Sequence, residues 1–206
     1  MAEIEYFFTL ISPYAYLGHR ALLDVAAGHR AVVRYRPVML GKVFESSGAV
    51  PLAQRPKARQ DYRFLELQRW REKRGVTLNL QPKHFPTNPS LADRTALALM
   101  EAGYDPGDHA ERVFRACWAE DRDIADRGVL AEILASAGYD AERCLHRAES
   151  EEVQQLYAAN TAEAVRLNAV GAPTYVLNGE AFWGQDRIEL LADALESGRE
   201  PYHLPG

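Results

Sequence analysis

The stretch Ile4-Glu5-Tyr6-Phe7-Phe8-Thr9-Leu10-Ile11-Ser12-Pro13-Tyr14-Ala15 decides how the rest of the chain is read. Aromatic and β-branched residues dominate Ile4 to Ile11, as in a buried strand. The run stops at Ser12-Pro13. A hydroxyl residue at a cap position followed by proline in the first turn predicts a helix start. Leu17, Ala21, Leu22 and Val25 then recur at helical spacing until Gly28. Ala31 to Tyr35 resumes strand character and ends at Pro37. Strand, helix and strand within ~35 residues read as a βαβ unit with parallel strands and a right-handed crossover.

Beyond this unit the pattern changes. From about Lys57 to Asn168 the chain reads as helical, with no convincing strand. Helix starts are expected at Ser90, Asp108, Asp126 and Ser150, and stops at Gly103 and Gly138. No fixed-period repeat or low-complexity linker interrupts it. Alternation returns at Thr174-Tyr175-Val176-Leu177, where Asn178-Gly179 predicts a tight turn and Ala181-Phe182-Trp183 the return strand. Asp186 then opens a helix with Ile188, Leu191 and Leu195 on one face. The order β-α-β, helical block, β-β-α describes an α/β fold: a thioredoxin-like sheet interrupted by a large all-helical insertion. On this reading residues 1–56 and 169–206 form the thioredoxin-like domain and 57–168 the insertion.

The composition fits such a domain. The chain has 206 residues, 47% of them hydrophobic and 26% charged, which excludes disorder as the main state. Its net charge of −5 argues against a nucleic-acid partner. No apolar run approaches the ~20 residues that span a bilayer, so no membrane partner is expected. The start Met1-Ala2-Glu3-Ile4-Glu5 lacks the positive region and long apolar segment of a secretory signal, and a cytoplasmic location is expected. The two cysteines, Cys117 and Cys144, form no CxxC or metal-ligand spacing, so they read as free, half-buried thiols. No metal site is expected.

In a thioredoxin-type layout the active position is the loop from the first strand into the first helix, here Ser12-Pro13-Tyr14-Ala15. Dithiol exchange needs cysteines at its first and fourth places, and Ser12 and Ala15 exclude it there. A helix N-terminus still offers unpaired N–H groups and a positive dipole end, and a serine hydroxyl can donate to a thiolate brought by a ligand. Ser12 can equally be a plain helix cap. Gly171-Ala172-Pro173-Thr174 precedes the third strand. A cis Pro173 would turn the Ala172 backbone outward toward an extended peptide, and an ordinary trans proline is the alternative. In Phe182-Trp183-Gly184-Gln185-Asp186-Arg187, Asp186 can cap the helix or receive an ammonium, and Arg187 can fork onto a carboxylate. Arg55 to Arg74 holds eight basic and three acidic residues, and a solvated helix face explains most of them. Within it Lys57 and Arg59 stand nearest the loop end. Together these features fit an extended, anionic thiol peptide with its sulfur at Ser12, and glutathione meets that description.

With these residues in hand, the chain resembles the 2-hydroxychromene-2-carboxylate isomerases, which are similar to kappa-class glutathione transferases within the DsbA-like branch of the thioredoxin superfamily. The resemblance runs nearly end to end. It rests on Ser12-Pro13-Tyr14-Ala15-Tyr16-Leu17, Pro37 with Leu40-Gly41, Pro56-Lys57 with Tyr62, and Phe85-Pro86. Ala116-Cys117-Trp118 with Asp123-Ile124, Gly171-Ala172-Pro173-Thr174 and Phe182 to Arg187 complete it. It implies glutathione as cofactor, with Ser12 facing the sulfur as the catalytic residue and Pro13 and Tyr14 beside it. It implies that the Ala172 backbone pairs with the cysteinyl unit next to a cis Pro173. Gln185 and Asp186, with Arg187, would hold the γ-glutamyl end, and Lys57 a carboxylate. Ala49 stands where kappa transferases carry an asparagine contact to glutathione. The implied reaction interconverts 2-hydroxychromene-2-carboxylate and trans-o-hydroxybenzylidenepyruvate, a step in naphthalene-type aromatic catabolism, in a homodimer. Trp183, Phe7 and Phe8 are available for an aryl pocket, with core packing the expected fate of at least two of them. Two other readings share these motifs: a kappa-like transferase or peroxidase that consumes glutathione, and a non-catalytic thioredoxin-like binding module.

Overall fold

The computed structural model describes residues 1–203 and 205. Strand β1 (Glu3–Phe8), helix α1 (Pro13–Gly28) and strand β2 (Val32–Pro37) form the expected unit, with β1 and β2 parallel from Glu3↔Val32 to Phe8↔Pro37. Strands β3 (Thr174–Leu177) and β4 (Glu180–Trp183) complete a sheet of order β2-β1-β3-β4, and β3 runs antiparallel to both β1 and β4. Asn178 and Gly179 join them with φ of 50° and 85°, the positive pair a tight hairpin turn requires.

One face of β1 is apolar throughout, and the other, where Glu3 and Glu5 pair with Arg34 and Arg36 of β2, becomes apolar at Phe7, where it too is covered. Ile4, Tyr6 and Phe8 point into the main core, where Tyr6 stacks on Phe8 (4.4 Å between centroids) and on Tyr175 (5.4 Å). Phe7 points the other way, packing with Val38, Val43, Ala164 and Val176. The strand ends at Phe8 rather than Ile11 because the following backbone is drawn elsewhere. The Leu10 N–H donates to Asp93 Oδ1 (2.7 Å), the Thr9 hydroxyl to Asp93 Oδ2 (2.8 Å), and the Ser12 N–H to the Thr9 carbonyl (3.0 Å).

Helix α2 (Leu40–Ser47), which no cap or turn motif marks in the sequence, follows β2 and stops at Gly48, with φ of 72°. The helical block then runs α3 (Lys57–Arg74), α4 (Ser90–Glu101), α5 (Gly107–Trp118), α6 (Arg127–Ser136), α7 (Ala141–Ala148) and α8 (Glu151–Arg166). Asp126 and Ser150 cap α6 and α8 as expected. Asp108 instead lies inside the first turn of α5, which begins at Gly107, and pairs with Arg112 one turn on (2.7 Å). Helix α7, capped by the Asp140 carboxylate accepting the Arg143 N–H (3.1 Å), was hidden between Gly138 and Ser150. Near the end, Asp186 falls in a 3-10 turn, Gln185–Arg187, ahead of helix α9 (Ile188–Ser197). The chain therefore has the thioredoxin-like fold with a helical insertion. Asp93 on α4 and Tyr157 on α8 fix the insertion to the sheet: the Tyr157 hydroxyl lies 2.7 Å from Asp93 Oδ2 and 3.1 Å from the Val38 carbonyl. No helix among the described residues is long and apolar enough to cross a membrane.

Candidate active site

Ser12 stands at the junction of strand and helix and is only 5% exposed. Its oxygen accepts the Ala15 N–H (3.2 Å), capping α1, while its hydroxyl donates to the Ala172 carbonyl (3.2 Å). The cap reading and the site reading are thus both satisfied by one hydroxyl, because a hydroxyl can accept and donate at once. The helix behind it is 16 residues long, enough to present a full dipole end beside the Ser12 oxygen.

Ala172 is carried to Ser12 by the loop entering β3. The Ala172–Pro173 peptide is cis, and the Pro173 carbonyl accepts the Gly184 N–H (2.9 Å), tying this loop to the exit of β4. Gly184 has φ of 101°, and a Cβ there would collide with Asp186 Oδ1, so the turn admits glycine alone. Gln185 follows, buried against α1. Gly18 of α1 makes that approach possible, since a Cβ on it would lie 2.6 Å from Gln185 Cβ. Arg74 at the end of α3 then fixes Gln185 by donating to its side-chain oxygen (3.2 Å) and its backbone carbonyl (3.0 Å). The Gln185 amide nitrogen is left to donate. Asp186 and Arg187 pair with each other at 2.6 Å.

These groups open into one cavity of about 700 Å³ between the sheet edge and the insertion, a volume within the usual range for small-molecule sites. Ser12, Pro13, Tyr14, Ala172, Pro173, Gln185, Asp186 and Arg187 all line it. Lys57 does not: its side chain is 81% exposed and paired with Asp61 one turn along α3. Ala49 is also outside the lining, whereas Pro51 and Leu52 of the same loop belong to it. Of the three aromatic residues weighed for an aryl pocket, Phe7 and Phe8 are core, and Trp183, 52% exposed, is at the cavity. The aromatic wall comes mainly from residues not singled out for that role: Phe44, Trp70, Phe85 and Tyr157. Arg55 and Arg63 enter from the basic stretch.

Neither cysteine takes part. Both are buried and free, Cys117 with its thiol pushed up to about 12 and Cys144 to about 11, in each case by burial. Such thiols stay protonated and unreactive at neutral pH. Among the described residues no group of three or more His, Cys, Asp or Glu side chains is placed to hold a metal ion.

The sequence profile of the DSBA-like thioredoxin domain matches residues 3–196. The chain is 27% identical over 195 residues to a 2-hydroxychromene-2-carboxylate isomerase of Pseudomonas putida, covering 93% of each protein. It is also 27% identical over 219 residues to glutathione S-transferase kappa 1 of Caenorhabditis elegans, covering 100% of this chain and 94% of that one. Among solved structures, a 2-hydroxychromene-2-carboxylate isomerase superposes with a TM-score of 0.75 at 24% identity, over 95% of both chains.

Proposed function

The chain belongs to the DSBA-like thioredoxin domain family, and from that premise we propose that it is a glutathione-dependent isomerase interconverting 2-hydroxychromene-2-carboxylate and trans-o-hydroxybenzylidenepyruvate. The observation that carries this reading is the Ser12 hydroxyl, held at the N-terminus of α1 and open to the cavity, with its proton on the Ala172 carbonyl. Similarity to proteins of that name over nine-tenths of their length supports it.

The residues fit the cofactor. A ligand amide that donates to the Ala172 carbonyl displaces the Ser12 hydroxyl from it, and Ser12 then turns its proton to the neighbouring sulfur. The α1 dipole adds to that preference for an anion. Gln185, oriented by Arg74, offers its amide N–H to a carboxylate, and the Asp186–Arg187 pair offers one charge of each sign to the zwitterionic end of a γ-glutamyl group. Bound glutathione supplies a thiolate able to add reversibly to a conjugated carbon. Phe44, Trp70, Phe85 and Trp183 wall the space left for an aryl substrate. In this reading residues 1–56 and 169–206 bind the cofactor, 57–168 bring Trp70 and Phe85 to the second pocket, and the protein works as a cytoplasmic homodimer.

Titrating glutathione across pH, with thiolate absorbance as the readout, tests the proposal on wild type and Ser12→Ala. The wild type is expected to bind glutathione with its thiol pKa lowered by about 2, roughly 2.7 kcal/mol of preference for the thiolate. Ser12→Ala, checked for folding by circular dichroism, is expected to lose most of that shift. Absence of glutathione binding by the folded wild type overturns the reading in favour of a binding module. A second reading, a kappa-like transferase, draws on the 27% identity to the kappa relative, the same as that to the isomerase. It predicts stoichiometric loss of glutathione per turnover, which the isomerase does not show.

A further inference from the structure

Arg63 has no part in the chemistry above, yet it is a buried charged residue of α3, 8% exposed, that lines the cavity. Charged side chains are seldom buried unless paired. Among the described residues Arg63 has neither an ion pair nor a hydrogen bond, whereas the other carboxylates and guanidinium groups nearby are committed. Glu66 accepts from Arg69 (2.7 Å) and from Trp70 Nε1 (3.3 Å), Asp186 is held by Arg187 (2.6 Å), and Arg74 is spent on Gln185. Arg55, the second guanidinium of this wall, donates to the Val50 carbonyl (2.9 Å) and brings no negative charge.

What surrounds Arg63 is aromatic. Its guanidinium carbon lies 5.5 Å from the Phe85 centroid, 5.9 Å from Phe64 and 6.0 Å from Trp118. Rings offset part of the burial cost through their π faces, but they accept nothing from the five in-plane N–H donors of a guanidinium. Burial works against the charge of Arg63, the Tyr14 side chain offsets part of that and Arg55 adds to it, so a bound anion would relieve what the chain itself leaves uncompensated. A planar carboxylate matches the unused donors in both charge and shape.

We propose that Arg63 is the receptor for the carboxylate of the second substrate, so that this cavity selects aryl acids over their neutral analogues. The assignment rests on the proposed function only in taking this cavity as the place of reaction, and it adds a specificity-determining residue from α3 to the lining of that cavity. Arg63 holds the acid end while Phe85 and its neighbours receive the ring.

Calorimetric binding of trans-cinnamate and of neutral trans-cinnamamide tests it, with a glutathione titration on the same samples. The wild type is expected to bind the acid about tenfold or more tightly than the amide, a factor of ten being about 1.4 kcal/mol. Arg63→Met is expected to erase that preference, Arg63→Lys to keep part of it, and all three to bind glutathione alike. If Arg63→Met does not fold, Arg63→Gln, which keeps donors without charge, carries the same comparison. A wild type that binds neither probe, or both equally, overturns the assignment, as does a neutral variant that still prefers the acid. Loss of glutathione binding with the acid preference intact defeats the proposed function and leaves Arg63 standing; the opposite result does the reverse.

Discussion

Asp93 is the carboxylate whose replacement says most about how the insertion is fastened to the sheet. It is fully buried, and burial pushes its pKa from 3.8 to about 7 against the pull of the Leu10, Tyr157 and Thr9 hydrogen bonds and of Arg94. The protonated form suits its surroundings better. Tyr157 has one proton and two acceptors in reach, Asp93 Oδ2 and the Val38 carbonyl. Once Asp93 is protonated it donates to the Tyr157 oxygen, and Tyr157 gives its own proton to Val38. Between pH 3.8 and about 7 the folded chain then binds a proton that the unfolded chain does not. Stability from this group is complete below that window and is lost as pH rises through it, by at most about 1.4 kcal/mol per pH unit. The ceiling is roughly 4 kcal/mol across the window. His109 runs the other way: burial lowers its pKa from 6.5 to about 4, so stability from it is lost as pH falls through that range. Urea unfolding of wild type and Asp93→Asn at pH 4 to 8 separates the two. The asparagine amide donates where protonated Asp93 did, so the variant is expected to match the wild type near pH 4 and to exceed it near pH 8. Its own profile is expected to show acid loss from His109. A variant whose stability parallels the wild type at every pH refutes the assignment of the proton to Asp93.

Gly18→Ala is expected to weaken both fold and site, because the added methyl meets Gln185 Cβ at 2.6 Å, the Tyr175 hydroxyl at 2.8 Å and Ile188 Cδ1 at 3.0 Å. The cost of such overpacking, about 1–3 kcal/mol, outweighs the gain of up to about 1 kcal/mol in helix propensity, and urea unfolding with glutathione titration measures both losses; an unchanged glutathione affinity would mean that Gln185 is not a contact. Lys57→Ala is expected to leave stability and glutathione affinity unchanged within error, since an exposed i,i+4 pair is worth only about 0.3–0.5 kcal/mol; a tenfold loss of affinity would return Lys57 to the site.

Much of the fold was legible because its punctuation is local. Ser12-Pro13, Asn178-Gly179, Asp126 and Ser150 each announce a cap or turn within four residues, and each sits where it was expected. The helices that the sequence does not announce are short. In α2 the apolar face is a single turn, Leu40, Val43 and Phe44, too short to stand out as a stripe, while α7 is an eight-residue helix whose Asp140 cap lies between two stronger signals. The early end of β1 was not legible at all, because Asp93, which takes the Leu10 N–H, lies 83 positions away.

The site divides in the same way. Residues next to the loop and the hairpin were found together, since local turns place them. The basic stretch from Arg55 to Arg74 was not resolved into outward and inward members, because charge alone marks a solvated face. Spacing carries the missing distinction. Arg63, Leu67, Trp70 and Arg74 stand four, three and four residues apart, the repeat of a single helical face, and Leu67 and Trp70 identify that face as the one turned inward. Two arginines share it: Arg74 reaches Gln185, while Arg63 meets only aromatic rings. Had the two been equivalent structural props, each would have been matched with an acceptor. The one left without an acceptor lines the cavity, which is where a substrate anion has to come from outside the chain.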